Sequence, residues 1–135
     1  MWTAIDSSVL WSIFRGEAGA RALVDLLVAI RRDSVLILCD IVFAEIAPFF
    51  RDLDDLGSKL ESLGVEYDAI GQASAFAAGE IFKIYRRDGG TRICLIPDFP
   101  AGAHALHQAG CLAASDRGYL SRYFPQLCIL TPGSI

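Results

Sequence analysis

Four carboxylates in this sequence occupy places where acidic side chains are unusual. Asp6 and Asp116 each follow a short apolar run, and Glu45 and Asp98 are each embedded among apolar residues. An isolated carboxylate in apolar surroundings costs free energy unless a partner neutralises it. Carboxylates that meet at one place also repel one another, which raises their pKa values until a cation binds. The pattern therefore predicts one divalent-metal site that contains all four acids.

The ligand chemistry favours a hard ion. Carboxylate oxygens and water suit Mg²⁺, for which Mn²⁺ is a substitute, and Mg²⁺ keeps several of its waters when it binds to a protein. A site of this kind activates a water molecule and polarises a phosphodiester, with either one ion or two. We therefore expect hydrolytic chemistry at these acids.

Each acid also has a structural explanation. Asp6, Asp98 and Asp116 each precede or open a predicted helix, where a capping carboxylate contributes about 1 kcal/mol. Glu45 lies inside a predicted helix, so its alternative explanation is a buried ion pair with an arginine. For each acid taken singly these alternatives stay open, and only the joint pattern favours the metal.

The surrounding elements alternate between apolar strands and amphipathic helices. Strands are predicted at 3–5, 35–39, 65–67, 111–114 and 127–130, and helices at 7–14, 18–32, 41–50, 53–63, 72–87, 98–109 and 117–123. Asp40 is expected to cap the third helix, and Gly64 to end the fourth. Right-handed βα crossovers then give a central parallel five-stranded sheet between two helical layers, an α/β/α fold. Residues 1–135 form a single domain, and the ends of its strands bring Asp6 and Asp116 to one edge.

Composition narrows the class of protein. The 135 residues are 53% hydrophobic with a mean hydropathy of +0.41, and the formal net charge is −4. This charge argues against a broad basic surface for nucleic acid, although ten of the 12 basic residues are arginine. We expect no leader, no membrane span and a cytoplasmic location. The cysteines, which we expect to be reduced core thiols, are Cys39, Cys94, Cys111 and Cys128.

Four motifs resemble those of a known family. They are Ile5-Asp6-Ser7-Ser8, Phe43-Ala44-Glu45-Ile46, Ile96-Pro97-Asp98-Phe99 with the following Pro100-Ala101-Gly102-Ala103-His104, and Leu112-Ala113-Ala114-Ser115-Asp116-Arg117. In this order, the motifs resemble a PIN domain, and most of all the VapC-type ribonuclease toxins. The resemblance covers nearly the whole chain, and the string around Asp98 is its most specific part.

The resemblance implies a sheet of order 3-2-1-4-5 and Mg²⁺-dependent cleavage of RNA. It makes Asp6 and Asp98 the principal metal ligands, with Glu45 and Asp116 completing the site directly or through water. It also implies a cognate antitoxin and a homodimer as partners. In one departure from the family pattern, Ala114 stands where a hydroxyl residue is usual two positions before the last acid. In the other, Pro100-Ala101 replaces a larger aliphatic pair, which is expected to loosen packing behind Asp98.

Several other side chains are candidates for contacts with the substrate. Ser7 follows the first acid, and five arginines lie in or beside segments that lead to the acidic site: Arg86, Arg87, Arg92, Arg117 and Arg122. We expect them to hold RNA phosphates. His104 is interpreted as a packed residue. Tyr119, Tyr123 and Phe124 are interpreted as core or interface residues in preference to base-stacking ones.

Other functions remain open. The chain could be a PIN nuclease of RNA processing that is not a toxin, or a catalytically weak module that binds RNA or protein. A phosphorelay receiver or an aspartyl-phosphate phosphatase is disfavoured, because the only lysines, Lys59 and Lys83, fall on predicted helices and Asp6-Ser7-Ser8 lacks a second acid. We expect the leucines of 53–63 to lie mostly in the core and, together with Phe49 and Phe50, also to leave a groove for an antitoxin helix or a second copy.

Overall fold

Five short strands form one sheet in the computed structural model of the chain, which describes residues 1–118 and 120–134. The strands are β1 (Trp2–Ile5), β2 (Val35–Leu38), β3 (Val65–Tyr67), β4 (Gly110–Ala113) and β5 (Cys128–Leu130). Every neighbouring pair is parallel, and the order is β3-β2-β1-β4-β5. The predicted sheet and its order are confirmed. Because β1 is central, Asp6 lies at the middle of the carboxyl edge.

Helices cover both faces of this sheet. They are α1 (Ser7–Arg15), α2 (Ala20–Arg31), α3 (Asp40–Ile46), α4 (Leu53–Leu63), α5 (Gln72–Arg87), α6 (Asp98–His104) and α7 (Leu120–Tyr123). Alternate strand residues point to opposite faces. Ile5 thus packs with α1 to α4, whereas Ala4 packs with α5 to α7. The three-layer α/β/α architecture is confirmed, and within the described residues no helix is long and apolar enough to cross a membrane.

Glycines end α1 and α4, two of the helices on the face of the sheet that Ile5 packs against. Gly16 closes α1 with φ 65° and Gly64 closes α4 with φ 71°, a left-handed conformation that glycine adopts without a steric penalty. The predicted stop at Gly64 is confirmed. At its other end α4 is capped by Asp52, whose carboxylate accepts a 2.8 Å hydrogen bond from the backbone N–H of Asp55.

The helix predicted at 41–50 is shorter than expected. The structure ends α3 at Ile46 and continues as a 3₁₀ turn at Ala47–Phe49, because Pro48 has no N–H to donate to a further helical turn. The prediction that Asp40 caps this helix is wrong. Cys39 occupies the capping position, and the Asp40 carboxylate instead accepts a 3.3 Å hydrogen bond from the N–H of Ile70.

Two later helices also differ from the prediction. The helix expected at 98–109 is α-helical only to His104 and then widens into a π-helix at Ala105–Ala109, with Gly110 (φ 117°) beginning β4. The helix expected at 117–123 begins at Leu120, so Arg117 lies in the preceding connection. Tyr119 falls outside the described residues.

The expectation of four core thiols is correct only for Cys39, which is 1% exposed. All four cysteines are free, but Cys94 and Cys128 are exposed and Cys111 is partly covered. Cys94 lies in the irregular segment between α5 and α6, where the apolar run is not buried. Cys128 opens β5, the outermost strand, which has a neighbour on one side only.

Candidate active site

Asp6 leaves the end of β1 and caps α1. Its Oδ2 atom accepts hydrogen bonds from the backbone N–H of Ser8 at 3.3 Å and from the Ser8 hydroxyl at 2.5 Å. The capping explanation for Asp6 is therefore confirmed. It does not exclude a second role, because a carboxylate retains further lone pairs after accepting two bonds at one oxygen.

Glu45 lies in the last turn of α3, half-buried. The arginine–carboxylate ion pairs within the described residues are Arg21–Asp25 and Arg51–Asp55, so the predicted alternative of a buried Glu45–arginine pair is wrong. The Ser7 hydroxyl donates a hydrogen bond to the Glu45 carboxylate. Glu45 is thus held by a neutral donor, and its negative charge remains uncompensated by a basic side chain of the described structure.

Asp98 is the first residue of α6, half-buried, and directly follows Pro97 at the capping position. Its surroundings are less apolar than the sequence indicates, since Ile93 is 82% exposed and Leu95 is also exposed. The capping position belongs to Pro97 and makes no side-chain cap. Asp98 therefore places a carboxylate at the start of α6 without serving as its N-cap.

Asp6 and Glu45 both have raised pKa values, and the charge of Asp98 contributes to each. Burial raises the pKa of Asp6, and the charge of Asp98 raises it further, while hydrogen bonds from Ser8 and Ser7 oppose the rise. Burial likewise raises the pKa of Glu45, and the charges of Asp98 and Asp6 add to it against the hydrogen bond from Ser7. The carboxyl edge therefore concentrates negative charge from three different elements.

Asp116 is not among the charges that act on Asp6 and Glu45. It is exposed in the connection after β4, and a Cβ atom added to Gly118 would lie 3.1 Å from its Oδ1 atom, which places the carboxylate against the turn at Gly118. The connection is nevertheless tied to the site, because the N–H of Ser115 donates a 3.3 Å hydrogen bond to the Ser8 hydroxyl oxygen. The structure thus groups Asp6, Glu45 and Asp98, while Asp116 is exposed in the connection after β4.

Ser8 is a residue that the sequence pattern did not single out. Its hydroxyl donates to Asp6 and accepts from Ser115, so it joins the end of β1 to the end of β4. The signal was present, since Asp6-Ser7-Ser8 is typical of a helix N-terminus at which a side chain bonds to the residue two positions on. Ala114, where the family resemblance expects a hydroxyl, is 1% exposed and packs in the core beside α5 to α7.

The donor set fits a hard divalent ion. Among residues 1–118 and 120–134, no three carboxylate, imidazole or thiolate side chains are arranged to hold a metal by themselves. Mg²⁺ commonly binds through one or two carboxylates and fills its other positions with water. Carboxylates that repel one another, supported by serine hydroxyls, match this mode of binding. A soft ion would require thiolate or imidazole ligands.

The arginines at the end of α5 lie on the same side as Asp98. Gly71 and Ser74 near the start of α5 bond to Gln108, whereas Tyr85 near its end packs on Phe99 with ring centroids 5.7 Å apart. Helix α5 therefore runs antiparallel to α6 and ends beside its first turn. That end carries Arg86 and Arg87, and the Arg86 guanidinium donates a 2.7 Å hydrogen bond to the Arg92 carbonyl.

The remaining residues predicted to contact the substrate or to pack in the core lie after β4. Arg117 is exposed beside Asp116, and the Arg122 guanidinium lies over the Tyr123 ring, 5.3 Å from its centroid. Phe124 is buried, and Tyr123 packs against Phe99 at 5.2 Å between ring centroids, so the core interpretation of these two aromatics is confirmed.

His104 is a packed residue, as predicted, and belongs to a polar network with Asp68 and Gln108. It is 1% exposed, and its Nε2 atom lies 2.9 Å from Asp68 Oδ2. Gln108 donates to the same Asp68 oxygen at 3.0 Å. The network joins the connection after β3 to the end of α6 and to the π-helix that follows it. It thereby helps to fix both helical segments in place.

Solved structures share this architecture at low sequence identity. VapBC2 from Rickettsia felis bound to a DNA fragment from their promoter matches with a TM-score of 0.74 and 15% identity, covering 97% of this chain and 98% of that one. VapBC-1 from nontypeable Haemophilus influenzae matches at 0.72 and 13%, covering 98% and 99%. FitAcB from Neisseria gonorrhoeae matches at 0.66 and 16%, also covering 98% and 99%. These similarities show a common fold.

Sequence comparison gives the family. Among curated proteins, none matches the chain. The sequence model of the PIN domain, however, matches residues 3–124, which include all four predicted acids, β2, β3, β4 and all of β1 except Trp2. The chain belongs to the PIN domain family.

Proposed function

We propose that this chain is a Mg²⁺-dependent endoribonuclease, the toxin of a VapBC-type toxin-antitoxin pair. The observation that carries the proposal is the concentration of acids at the carboxyl edge of the sheet, where the charge of Asp98 acts on Asp6 and Glu45 and the charge of Asp6 acts on Glu45. In open α/β sheets this edge is the usual place for an active site. Membership of the PIN domain family supports hydrolysis of a phosphodiester as the reaction.

In this proposal Asp6 and Asp98 are the principal ligands of Mg²⁺, and Glu45 and Asp116 complete its surroundings directly or through water. When bound, Mg²⁺ supplies charge stabilisation at the phosphate and lowers the pKa of water, and Mn²⁺ would substitute for it. Asp116 needs to turn from Gly118 toward the other acids to participate, which its exposed position allows.

The remaining residues of the site position the acids. Ser8 holds one oxygen of Asp6, and Ser7 holds Glu45, so the two carboxylates are kept in fixed orientations before any substrate arrives. Fixed orientation avoids a reorganisation cost during the reaction. We assign Ser7 to this positioning role together with the contact to substrate proposed from the sequence.

RNA is held by arginines around the acids. Arg86 and Arg87 end α5, Arg92 lies in the connection to α6, and Arg117 and Arg122 follow Asp116 along the chain. Guanidinium groups bind phosphate oxygens in a bidentate manner without reading the base. In a protein of net charge −4, a local basic rim of this kind confines the attraction for RNA to the site.

We further propose that a helix of the antitoxin occupies the groove next to α4. This groove has a volume of about 540 Å³, and its apolar lining includes Phe43, Leu60 and two exposed side chains, Leu53 (70%) and Tyr67 (54%). The similar structures are VapBC and FitAB complexes, which supports a protein partner. Leu53 and Tyr67 are the exposed apolar side chains that the partner helix would contact, because Leu56 and Leu60 of α4 are buried in the core.

A homodimer is the second association that we propose. It is supported by apolar side chains exposed away from the α4 groove, among them Phe76 (71%) and Ile93 (82%). Sedimentation of the purified chain over a range of concentrations tests it, and a constant monomer mass would contradict it.

The direct test of the enzyme proposal compares single-stranded RNA and DNA of the same sequence. We expect the purified chain to cut the RNA with Mg²⁺, to stop in EDTA, and to leave the DNA intact. Preferential cutting of DNA would replace the ribonuclease assignment. Failure to bind Mg²⁺ or Mn²⁺ by calorimetry at millimolar ion would favour the non-catalytic binding module.

The toxin assignment needs a separate measurement. An adjacent small gene whose product binds DNA and suppresses the RNA cleavage would support the toxin. A cleaving enzyme without such a neighbour would instead be a PIN nuclease of RNA processing.

A further inference from the structure

Two cysteines lie side by side on adjacent strands. Cys111 of β4 and Cys128 of β5 are partners in the parallel register, and the next pair along is Leu112 with Ile129. Because side chains alternate along a strand, the two thiols project from the same face, opposite to the core that contains Leu112 and Ile129. The fold therefore places a pair of thiols at the outer edge of the sheet.

The spacing suits a disulfide, though not a relaxed one. Paired strands lie about 4.8 Å apart, inside the range of roughly 4.4–6.8 Å between Cα atoms that disulfides span. Their Cβ atoms must come closer than parallel register ordinarily brings them, and a strained disulfide is reduced more easily. The thiols already interact: burial raises the pKa of the Cys111 thiol to about 11, and its hydrogen bond to Cys128 and the charge of Cys128 add to this.

Access differs between the two sulfurs. Cys128 is exposed on the outermost strand, whereas Cys111 is partly covered. A reagent in solution therefore meets Cys128 first, and Cys111 is adjacent to whatever forms there. Cys39 is buried in the core between the sheet and α1 to α4, and Cys94 is exposed between α5 and α6. Neither of these cysteines is paired with another cysteine on an adjacent strand.

We propose that Cys111 and Cys128 form a thiol modification site, which a low-molecular-weight disulfide such as oxidised glutathione converts reversibly into a disulfide between β4 and β5. The Cys128 sulfur, after losing its proton, attacks one sulfur of the reagent. A mixed disulfide forms, the reagent's S–S bond breaks, and one thiolate leaves and takes up a proton. Cys111 then loses its proton and attacks the Cys128 sulfur, which releases the second thiol. Two electrons pass from the protein to the reagent, and the protein loses two hydrogens.

The experiment uses the full chain with Cys94→Ser, because trypsin leaves Cys94 and Cys111 in one peptide, 93–117. Native protein is incubated with oxidised glutathione, its mass is measured, and its peptides are mapped before and after dithiothreitol. We expect the mass to fall by two hydrogens and peptide 93–117 to be joined to the peptide 123–135 that contains Cys128. Dithiothreitol should restore the original mass.

Serine variants at each site are the matched controls. Cys111→Ser in the same background should keep a glutathione adduct on Cys128, and Cys128→Ser should not form the cross-link. A parent chain that stays reduced, or that keeps a lasting glutathione adduct without joining the two peptides, would overturn the proposal. If the serine variants fail to fold, the rate of cross-linking in the parent chain is measured with and without urea. The proposal requires the cross-link to form faster in the native protein than in urea. An equal or slower rate in the native protein overturns the proposal.

Discussion

Asp98, the first residue of α6, lies close enough to Asp6, at the end of β1, for its charge to add to burial in raising the pKa of Asp6. The two residues come from distant parts of the chain, and the parallel register of β1 with β4 brings their elements together. A buried carboxylate placed beside a second negative charge is not arranged for stability. This relationship therefore points to a function that uses their charge, and it makes several results predictable.

The first prediction concerns pH. The pKa values of Asp6 and Glu45 are raised in the folded chain, so the folded state holds more protons than the unfolded state between a pH of about 4 and the folded pKa values of these two acids. Their contribution to stability is full below that pH and is lost as the pH rises through their folded pKa values. In EDTA, we expect Asp6→Asn combined with Glu45→Gln to remove this decline. Urea unfolding at several pH values measures it.

The control for this experiment replaces two exposed acids, with Asp33→Asn and Glu61→Gln. This variant should keep the decline of the parent chain. Parallel pH profiles for the parent and the site variant would show that the two buried carboxylates carry no such cost.

The second prediction concerns Ser8. Ser8→Ala removes the hydroxyl that orients Asp6 and that accepts a hydrogen bond from Ser115. Loss of a group that orients a metal ligand typically costs about 10- to 100-fold in metal affinity or activity, and we expect a loss of RNA cleavage in that range. Ser58→Ala, at an exposed position of α4, is the control and should be neutral. Equal rates for both variants would remove Ser8 from the site.

The third prediction separates two glycines in helices. A Cβ atom at Gly102 would lie 2.5 Å from the ring of Phe124, whereas one at Gly79 would meet nothing within 4 Å. We expect Gly102→Ala to destabilise the fold by about 1–3 kcal/mol through overpacking. Gly79→Ala should stabilise α5 by up to about 1 kcal/mol. Urea unfolding of both proteins measures the difference, and two changes of the same sign would contradict the close packing of α6 on Phe124.

The fourth prediction concerns the basic rim. Arg86→Ala with Arg87→Ala should weaken RNA binding and reduce the slope of log affinity against log salt, by about 0.7 for each RNA phosphate that the variant no longer neutralises. The charge-matched control is Arg31→Ala with Arg32→Ala, because the end of α2 leads into the start of β2 at the opposite edge of the sheet. Filter binding across salt concentrations measures both slopes. Equal slopes would move the RNA away from the end of α5.

The sheet was predictable because its signals are local. The run 35–38 is continuously apolar, and the short run 65–67 directly follows the helix-ending Gly64. The parallel arrangement follows because the strands alternate with helices along the chain. Helix boundaries were less predictable where two local effects compete. Pro48 shortens α3, and the π-helix after His104 depends on packing in the core that no residue pattern of α6 reveals.

The acidic site was partly predictable for the same reason. Asp6 follows a strand, and Glu45 stands alone among apolar neighbours, so both were recognisable from their context. Asp98 was recognised chiefly through its motif, because the apolar run before it proved to be exposed. The roles of Ser8 and of the Cys111–Cys128 pair depend on strand register across distant parts of the chain, which the sequence does not display.

The fifth prediction tests the central claim, that Asp98 helps to form a metal site that cuts RNA. Asp98→Asn keeps the size of the side chain and removes the charge that acts on both Asp6 and Glu45. The exposed Asp33→Asn is its control.

The most direct measurement is Mg²⁺-dependent RNA cleavage by these two variants, with circular dichroism to confirm that both are folded. The structure predicts that Asp98→Asn abolishes cleavage while Asp33→Asn retains the parental rate. Parental cleavage by folded Asp98→Asn would contradict the account.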